Sequence, residues 1–353
     1  MRRDAGRGLF LTARTVGHFS VDLACAALVA GAFLPGKNGE EALLGVLVYN
    51  LAAFALQPLF GMVCDAFPKA RLTAWSCGGV LAALVWAALP WGAWPALVLC
   101  ALGNALFHAG AGREVLLDSG GEMKWGGVFV SSGALGVPLG MLGGAAGRVP
   151  FLAVPGLCLA ASLFLLLKTE GRREGLPGQG VFDAASARPF GAVLLLALLS
   201  VAVRAFVGGA VPLPWKTGWL VLLPGAASCL GKACGGFFAD RFGARRTGVL
   251  ALLASLPLLC LENGDPWLSA LGLFCFNGTM PVSLGTVASK LPRSPGLAFG
   301  LTAQLLIVGS LPLYLWKLPG GAALPLSAVL ILFSALCIGL SSNDWKMGTR
   351  PGS

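Results

Sequence analysis

Three side chains near the N-terminus have types and a spacing suited to proton chemistry. Arg14, His18 and Asp22 fall at i, i+4 and i+8, which stacks them along one helical face. They interrupt an apolar run, where an ionisable residue costs about 2.5 to 3.5 kcal/mol and therefore needs a reason. An unperturbed imidazole titrates near pH ~6.5 and desolvation pushes a carboxyl toward the same range, so His18 and Asp22 can pass a proton between them. The alternative is mutual pairing that merely stabilises the helix. Asn104 and His108 repeat the i, i+4 spacing in another apolar run. They either line a cavity opposite the first group or join two helices by a hydrogen bond. The expected proton-coupling residues are His18, Asp22 and His108.

A second set of residues is suited to holding an anion. Arg204 sits fourteen positions into its apolar run, about 21 Å along a helix and too deep to snorkel comfortably. It either pairs with an acid such as Asp22 or grips an anionic solute through its bidentate fork. Lys232 lies about two turns from the end of its run, within reach of snorkelling or of a substrate. With Asn104, Asn277 and Gln304 as polar lining, these two cations make up the expected substrate-binding set.

The elements that must position these residues follow from composition. A chain of 353 residues that is 56% hydrophobic and 11% charged, with a mean hydropathy of +0.81, has too few charges to cover a soluble globule. It reads as an all-α polytopic membrane protein. The 51 glycines and 22 prolines fit such a bundle, where small residues let helices approach closely. The net charge of +10 is spread over loops between apolar runs, which argues for topology signals and against nucleic acid. Ten cysteines stand singly without metal-ligand spacing, so they read as packing residues, and neither a metal nor a cofactor is expected. The basic N-terminus lacks a clean cleavage site and reads as an uncleaved first span.

Hydropathy and Pro/Gly punctuation place spans at 9–34, 43–64, 72–89, 94–117, 125–147, 149–167, 190–211, 215–239, 247–261, 267–288, 297–316 and 322–340. The ninth is short, so a count of eleven stays open. The pattern is an N-terminal bundle over 1–167, a polar linker over 168–189 and a C-terminal bundle over 190–353. Eighteen of the 25 Lys and Arg fall on loops of one side and four on the other, which puts both termini in the cytoplasm. Arg14, Arg204 and Lys232 make up the remainder, within spans.

One motif occurs twice. Gly235 to Arg246 reads GGFFADRFGARR, and half a chain upstream Gly61 to Arg71 reads GMVCDAFPKAR, each with an acid four or five residues after a glycine and cations behind it. Six plus six spans, a central linker and G-x-x-x-D with trailing cations after spans two and eight resemble the major facilitator superfamily over nearly the whole chain. That resemblance implies twelve transmembrane helices in two pseudo-symmetric six-helix bundles. It also implies a cytoplasmic gate built from charge networks at Asp65, Lys69, Arg71, Asp240, Arg241, Arg245 and Arg246; Arg113, near the cytoplasmic end of its span beside Glu114, is expected at the same gate, where it either guides an anion or snorkels. Ala66 and Pro68 depart from the pattern, so the C-terminal latch is expected to be the stronger.

Within that superfamily, GHFSVDLACAALVAGAFLP, LQPLFGMVCD, GNALFHAG and GALGVPLGMLGG resemble the fosmidomycin-resistance-type drug exporters. Ala109 stands where that branch has proline. The resemblance implies a monomeric secondary transporter of the plasma membrane (a cell inner membrane) that exports a small amphiphilic or anionic solute in exchange for protons. Uptake of an organic anion is the alternative, and a transport-inactive receptor or scaffold is the reading from another class. No HExxH or G-x-S-x-G motif is present, so an enzyme is not expected.

Overall fold

The structure is a computed structural model, and it describes residues 2–68, 71–89, 91–146, 150–170, 190–261, 264–319 and 321–342. Lys69 and residues 171–189 of the expected linker lie outside the described residues.

Among the described residues, fourteen α-helices group into the twelve segments of the expected spans, and there is no strand. The first crossing is α1 (Arg2–Leu28), extended by a π-helical turn, Val29–Phe33. The second is α2 (Gly39–Asn50), a π-turn over Leu51–Ala55 and α3 (Gln57–Ala66). Then come α4 (Leu72–Ala87), α5 (Ala93–Asp118), α6 (Met123–Ala145) and α7 (Pro150–Glu170). The second series is α8 (Phe190–Ala210), α9 (Leu223–Phe242), α10 (Ala244–Cys260), the pair α11 (Pro266–Asn277) and α12 (Met280–Lys290), α13 (Pro295–Leu315) and α14 (Ala323–Ser341).

Ten of the crossings are long and apolar enough to span a bilayer. The other two, α4 and α10, have 16 and 17 residues, about 24 to 26 Å of helix against a hydrocarbon layer of roughly 30 Å. The ninth span, whose ends hydropathy leaves open, is therefore a helix of its own.

Local sequence explains most boundaries. Asn38 accepts the Glu41 N–H and starts α2, while Asp265 accepts the Trp267 and Leu268 N–H groups and starts α11. Pro266 and Pro295 occupy first helical positions, where the missing N–H costs nothing. Gly243 alone separates α9 from α10 and has φ +95°, a conformation that a side chain would resist. The expected tenth span is broken between Asn277 and Met280, with Pro281 entering the second piece.

Packing follows the two halves. In the first, α1 packs on α6 and α7, and α4 on α5; in the second, α8 packs on α13 and α14, and α10 on α11 and α14. The halves meet along α6 with α9 and along α3 with α13. Glycines permit that approach: a Cβ on Gly61 would collide with the Gly296 carbonyl, and one on Gly236 would press on Met123 and Lys124 backbone.

Candidate functional site

Helices α1 and α5 bring the predicted proton residues together. His18 Nε2 lies 3.3 Å from Asp22 Oδ2, and His108 Nε2 lies 3.4 Å from Asp22 Oδ1. Asn104 Nδ2 donates to the same Oδ1 at 3.2 Å. Each imidazole is fixed from behind: Nδ1 of His18 meets the Phe129 carbonyl at 2.7 Å, and Nδ1 of His108 meets the Asn104 carbonyl at 2.9 Å. A carbonyl oxygen only accepts, so both Nδ1 atoms carry hydrogen and both Nε2 atoms turn toward the carboxylate. With neutral rings and an ionised Asp22, each Nε2–Oδ contact would oppose two acceptors. One added proton would complete each contact.

The rings of His18 and His108 meet edge to face at 4.5 Å, and His18 stacks on Phe129 at 4.6 Å. Gly133 on α6 makes the space, since a Cβ there would collide with Asp22 Oδ2 and the His18 ring. Sequence reading did not single out Gly133; its signal, a small residue in a glycine-rich helix, was shared by many neighbours. Cys25 and Cys100 sit next to the cluster, with sulfurs 3.1 Å apart and Asn104 Nδ2 at 3.6 Å from Cys25 Sγ.

The donor atoms of His18, Asp22 and His108 lie within 4.8 Å of one another, a spacing that also suits a small cation. Lys232 is within electrostatic reach of both Asp22 and His108. Its charge works against any added cation there, whether a metal ion or protons.

Arg14 does not join this cluster. Its Nε donates to Glu114 Oε2 at 2.7 Å, it bonds Thr169 Oγ1, and its guanidinium covers the Phe10 ring. Glu114 also accepts from Thr73 Oγ1 at 2.7 Å, so the network ties α1 to α4, α5 and α7. The shared helical face expected for Arg14, His18 and Asp22 is thereby divided into a structural end and a titratable one.

In the second half, Arg204 and Lys232 make no ion pair among the described residues. Arg204 is buried on α8 and its guanidinium contacts Met280 Sδ; it forms no ion pair with Asp22. Lys232, half-buried on α9, has no hydrogen bond or carboxylate partner among the described residues. The two are in electrostatic reach of each other. Asn277 Nδ2 donates to Ser228 Oγ at 3.0 Å and to the Leu273 carbonyl, which stabilises the helix break. Gln304 Nε2 donates to the Ala55 carbonyl at 3.2 Å and so bridges the halves.

The two motif acids occupy mirror positions. Asp65, on α3, accepts the Gly296 and Leu297 N–H groups at 3.0 Å each, at the start of α13 in the other half. It also accepts Arg113 Nε at 2.9 Å. Asp240, on α9, accepts the Met123 and Lys124 N–H groups at 2.8 and 2.9 Å, at the start of α6 in the first half. Each acid thus caps a helix N-terminus across the interface, where unsatisfied amides and the helix dipole favour negative charge. Arg71 precedes α4 on the exposed surface. Arg241 and Arg245 form no ion pair among the described residues, and Arg241 lies over the Phe242 ring at 5.7 Å. Arg246 is exposed beside them. All three cations stand at the turn between α9 and α10, directly behind the Asp240 cap.

No protein-family model matches the chain, and no curated protein matches its sequence. Among solved structures it is similar to the E. coli fucose:proton symporter FucP, with a TM-score of 0.64 and 12% identity over 94% of this chain and 98% of that one. It is also similar to FucP described as a major facilitator superfamily transporter in the outward conformation, with a TM-score of 0.56 and 11% identity over 94% and 96% of the two chains. At that identity the likeness extends to the fold and leaves the drug-exporter branch without support. The chain is thus an all-α, multi-pass membrane protein with the major facilitator fold.

Proposed function

We propose that the chain is a secondary transporter that carries a small organic anion together with protons. His18, Asp22 and His108 hold the protons, Arg204 and Lys232 hold the anion, and the bundles 1–167 and 190–353 rock about the linker. The observation that carries this reading is the pair of Nε2–Oδ contacts, each short of one proton because both Nδ1–H groups are already spent on backbone carbonyls. The fold similarity to a proton symporter is consistent with it.

Charge arithmetic favours co-transport over exchange. Without extra protons the cluster carries one negative charge, which offsets the nearby cations and weakens their hold on an anion. Loading two protons makes the cluster positive and strengthens that hold, so anion and protons bind cooperatively and travel together. Export in exchange for protons, the direction that the exporter resemblance implies, requires the two to compete instead.

The test is flux in proteoliposomes, using the organic anion that most raises the melting temperature in a screen at two pH values. An acidic exterior should drive accumulation; depletion under the same gradient would reverse the direction in favour of exchange. Asp22→Asn supplies an amide hydrogen in place of a proton and should abolish gradient-driven accumulation while anion exchange continues. Unimpaired uphill flux in Asp22→Asn sinks the proton role. Arg204→Gln should weaken anion affinity by about 10- to 100-fold, the worth of one charge-assisted hydrogen bond.

A further inference from the structure

The exposed arginines behind Asp240 line two grooves, and neither groove includes a residue of the proposed transport site. One, of about 620 Å³, runs between α9, α10 and α11 and is lined by Arg241 and Arg246 together with Phe238, Leu250 and Phe274. The other, also about 620 Å³, runs between α10 and α14 and is lined by Arg245 and Arg246 together with Leu250, Leu336 and Leu340. Their walls are strongly exposed for apolar side chains: Leu250 is 64% accessible and Leu336 57%. On a chain with twelve membrane crossings, such a surface faces lipid.

We infer that this is a binding site for an anionic phospholipid, whose phosphate sits among Arg241, Arg245 and Arg246 and whose two acyl chains lie in the grooves on either side of α10. Three observations converge on that occupant. The two grooves share Leu250 and Arg246 and flank one helix, which matches a headgroup with two tails. Among the described residues, neither Arg241 nor Arg245 has a carboxylate partner that would neutralise it. The arginines occupy the turn between α9 and α10, at the end of the crossings where phosphates of the membrane lie, and the start of α10 adds its own partial positive charge. A free inorganic anion would use the arginines and leave the apolar grooves without a role. This site is independent of the proton and anion site and stands whether or not that reading holds.

The test is lipid retention by the full chain in nanodiscs of phosphatidylcholine with a minor fraction of phosphatidylglycerol, read as lipid co-purified after exchange into detergent. The wild type should enrich phosphatidylglycerol over its share in the disc. Arg241→Gln with Arg245→Gln should lower that enrichment by about fivefold for each arginine removed, whereas Arg293→Gln, an exposed arginine on the α12–α13 loop, should leave it unchanged. Leu250→Trp fills both grooves without altering charge and should also release the lipid. Full retention in the double arginine variant overturns the site, and so does an equal loss in Arg293→Gln, which would mean diffuse charge attraction. Competition by millimolar inorganic phosphate, or full retention in Leu250→Trp, overturns the lipid in favour of a small anion.

Discussion

The Asp65 and Asp240 latches look unequal in sequence and nearly equal in space. Around Asp240 the motif is intact, with glycines before it and arginines behind; around Asp65 alanine and proline interrupt it. Yet each acid accepts two backbone N–H groups from the first turn of a helix in the opposite half. Asp65 even has an additional partner in Arg113. The difference teaches that the acid and its place at the end of a crossing make the latch, because its partners are amides that every residue but proline supplies. The trailing residues vary without touching that contact.

Breaking both latches should produce the largest effect. Asp65→Ala with Asp240→Ala removes two capping carboxylates, each worth about 2 kcal/mol, and the sites are far enough apart to add. The opening equilibrium then shifts by about 1,000-fold, read as hydrogen exchange at the Met123, Lys124, Gly296 and Leu297 amides. Each single variant should shift it about 30-fold and by similar amounts. A much larger change for Asp240→Ala would restore the asymmetry that the motif implies, and unchanged protection would remove the latch role altogether.

Arg113→Gln sharpens the comparison from the other side. It strips the additional partner from Asp65 alone and should open the α13 amides by about fivefold or less, since a partly exposed ion pair contributes roughly 1 kcal/mol or below. Protection at Met123 and Lys124 should not change.

The smallest effect concerns Glu122, in the turn beside the Asp240 latch. Burial pushes its carboxyl up, but hydrogen bonds from Lys124 Nζ and Trp125 Nε1 outweigh that and hold it below the ordinary carboxylate range. A depressed folded value means that the contribution is complete above the unfolded value and fades as pH falls through the folded one. Stability of the α5–α6 turn should therefore drop on the acid side of the carboxylate range, and Glu122→Gln should flatten that limb in a melting curve taken against pH.

Sequence was most informative where physics is local. An apolar run of about 20 residues has few fates other than crossing a bilayer, so the crossings were legible with ends shifted by a few residues, whereas the break inside the tenth was not. The duplicated acid marked equivalent turns, and i, i+4 spacing put His18 with Asp22 and Asn104 with His108 on their own helices. The pairing between those helices was not legible. Arg14 shares the helical face of His18 and Asp22, yet one turn separates a buried Arg14–Glu114 ion pair from the proton cluster, because the partners come from α4, α5 and α7.

The sequence by itself determined an all-helical membrane chain, its repeat and the residue types able to hold protons and an anion, since hydropathy and helical period depend only on neighbours along the chain. Only the tertiary structure decided which of these groups face one another. It turned both His Nε2 atoms onto Asp22, left Arg204 and Lys232 without an ion pair among the described residues, and sent Asp65 and Asp240 to amides in the opposite half. Each of those outcomes depends on the approach of helices distant in sequence, at glycines such as Gly61 and Gly133 whose importance lies in what packs against them.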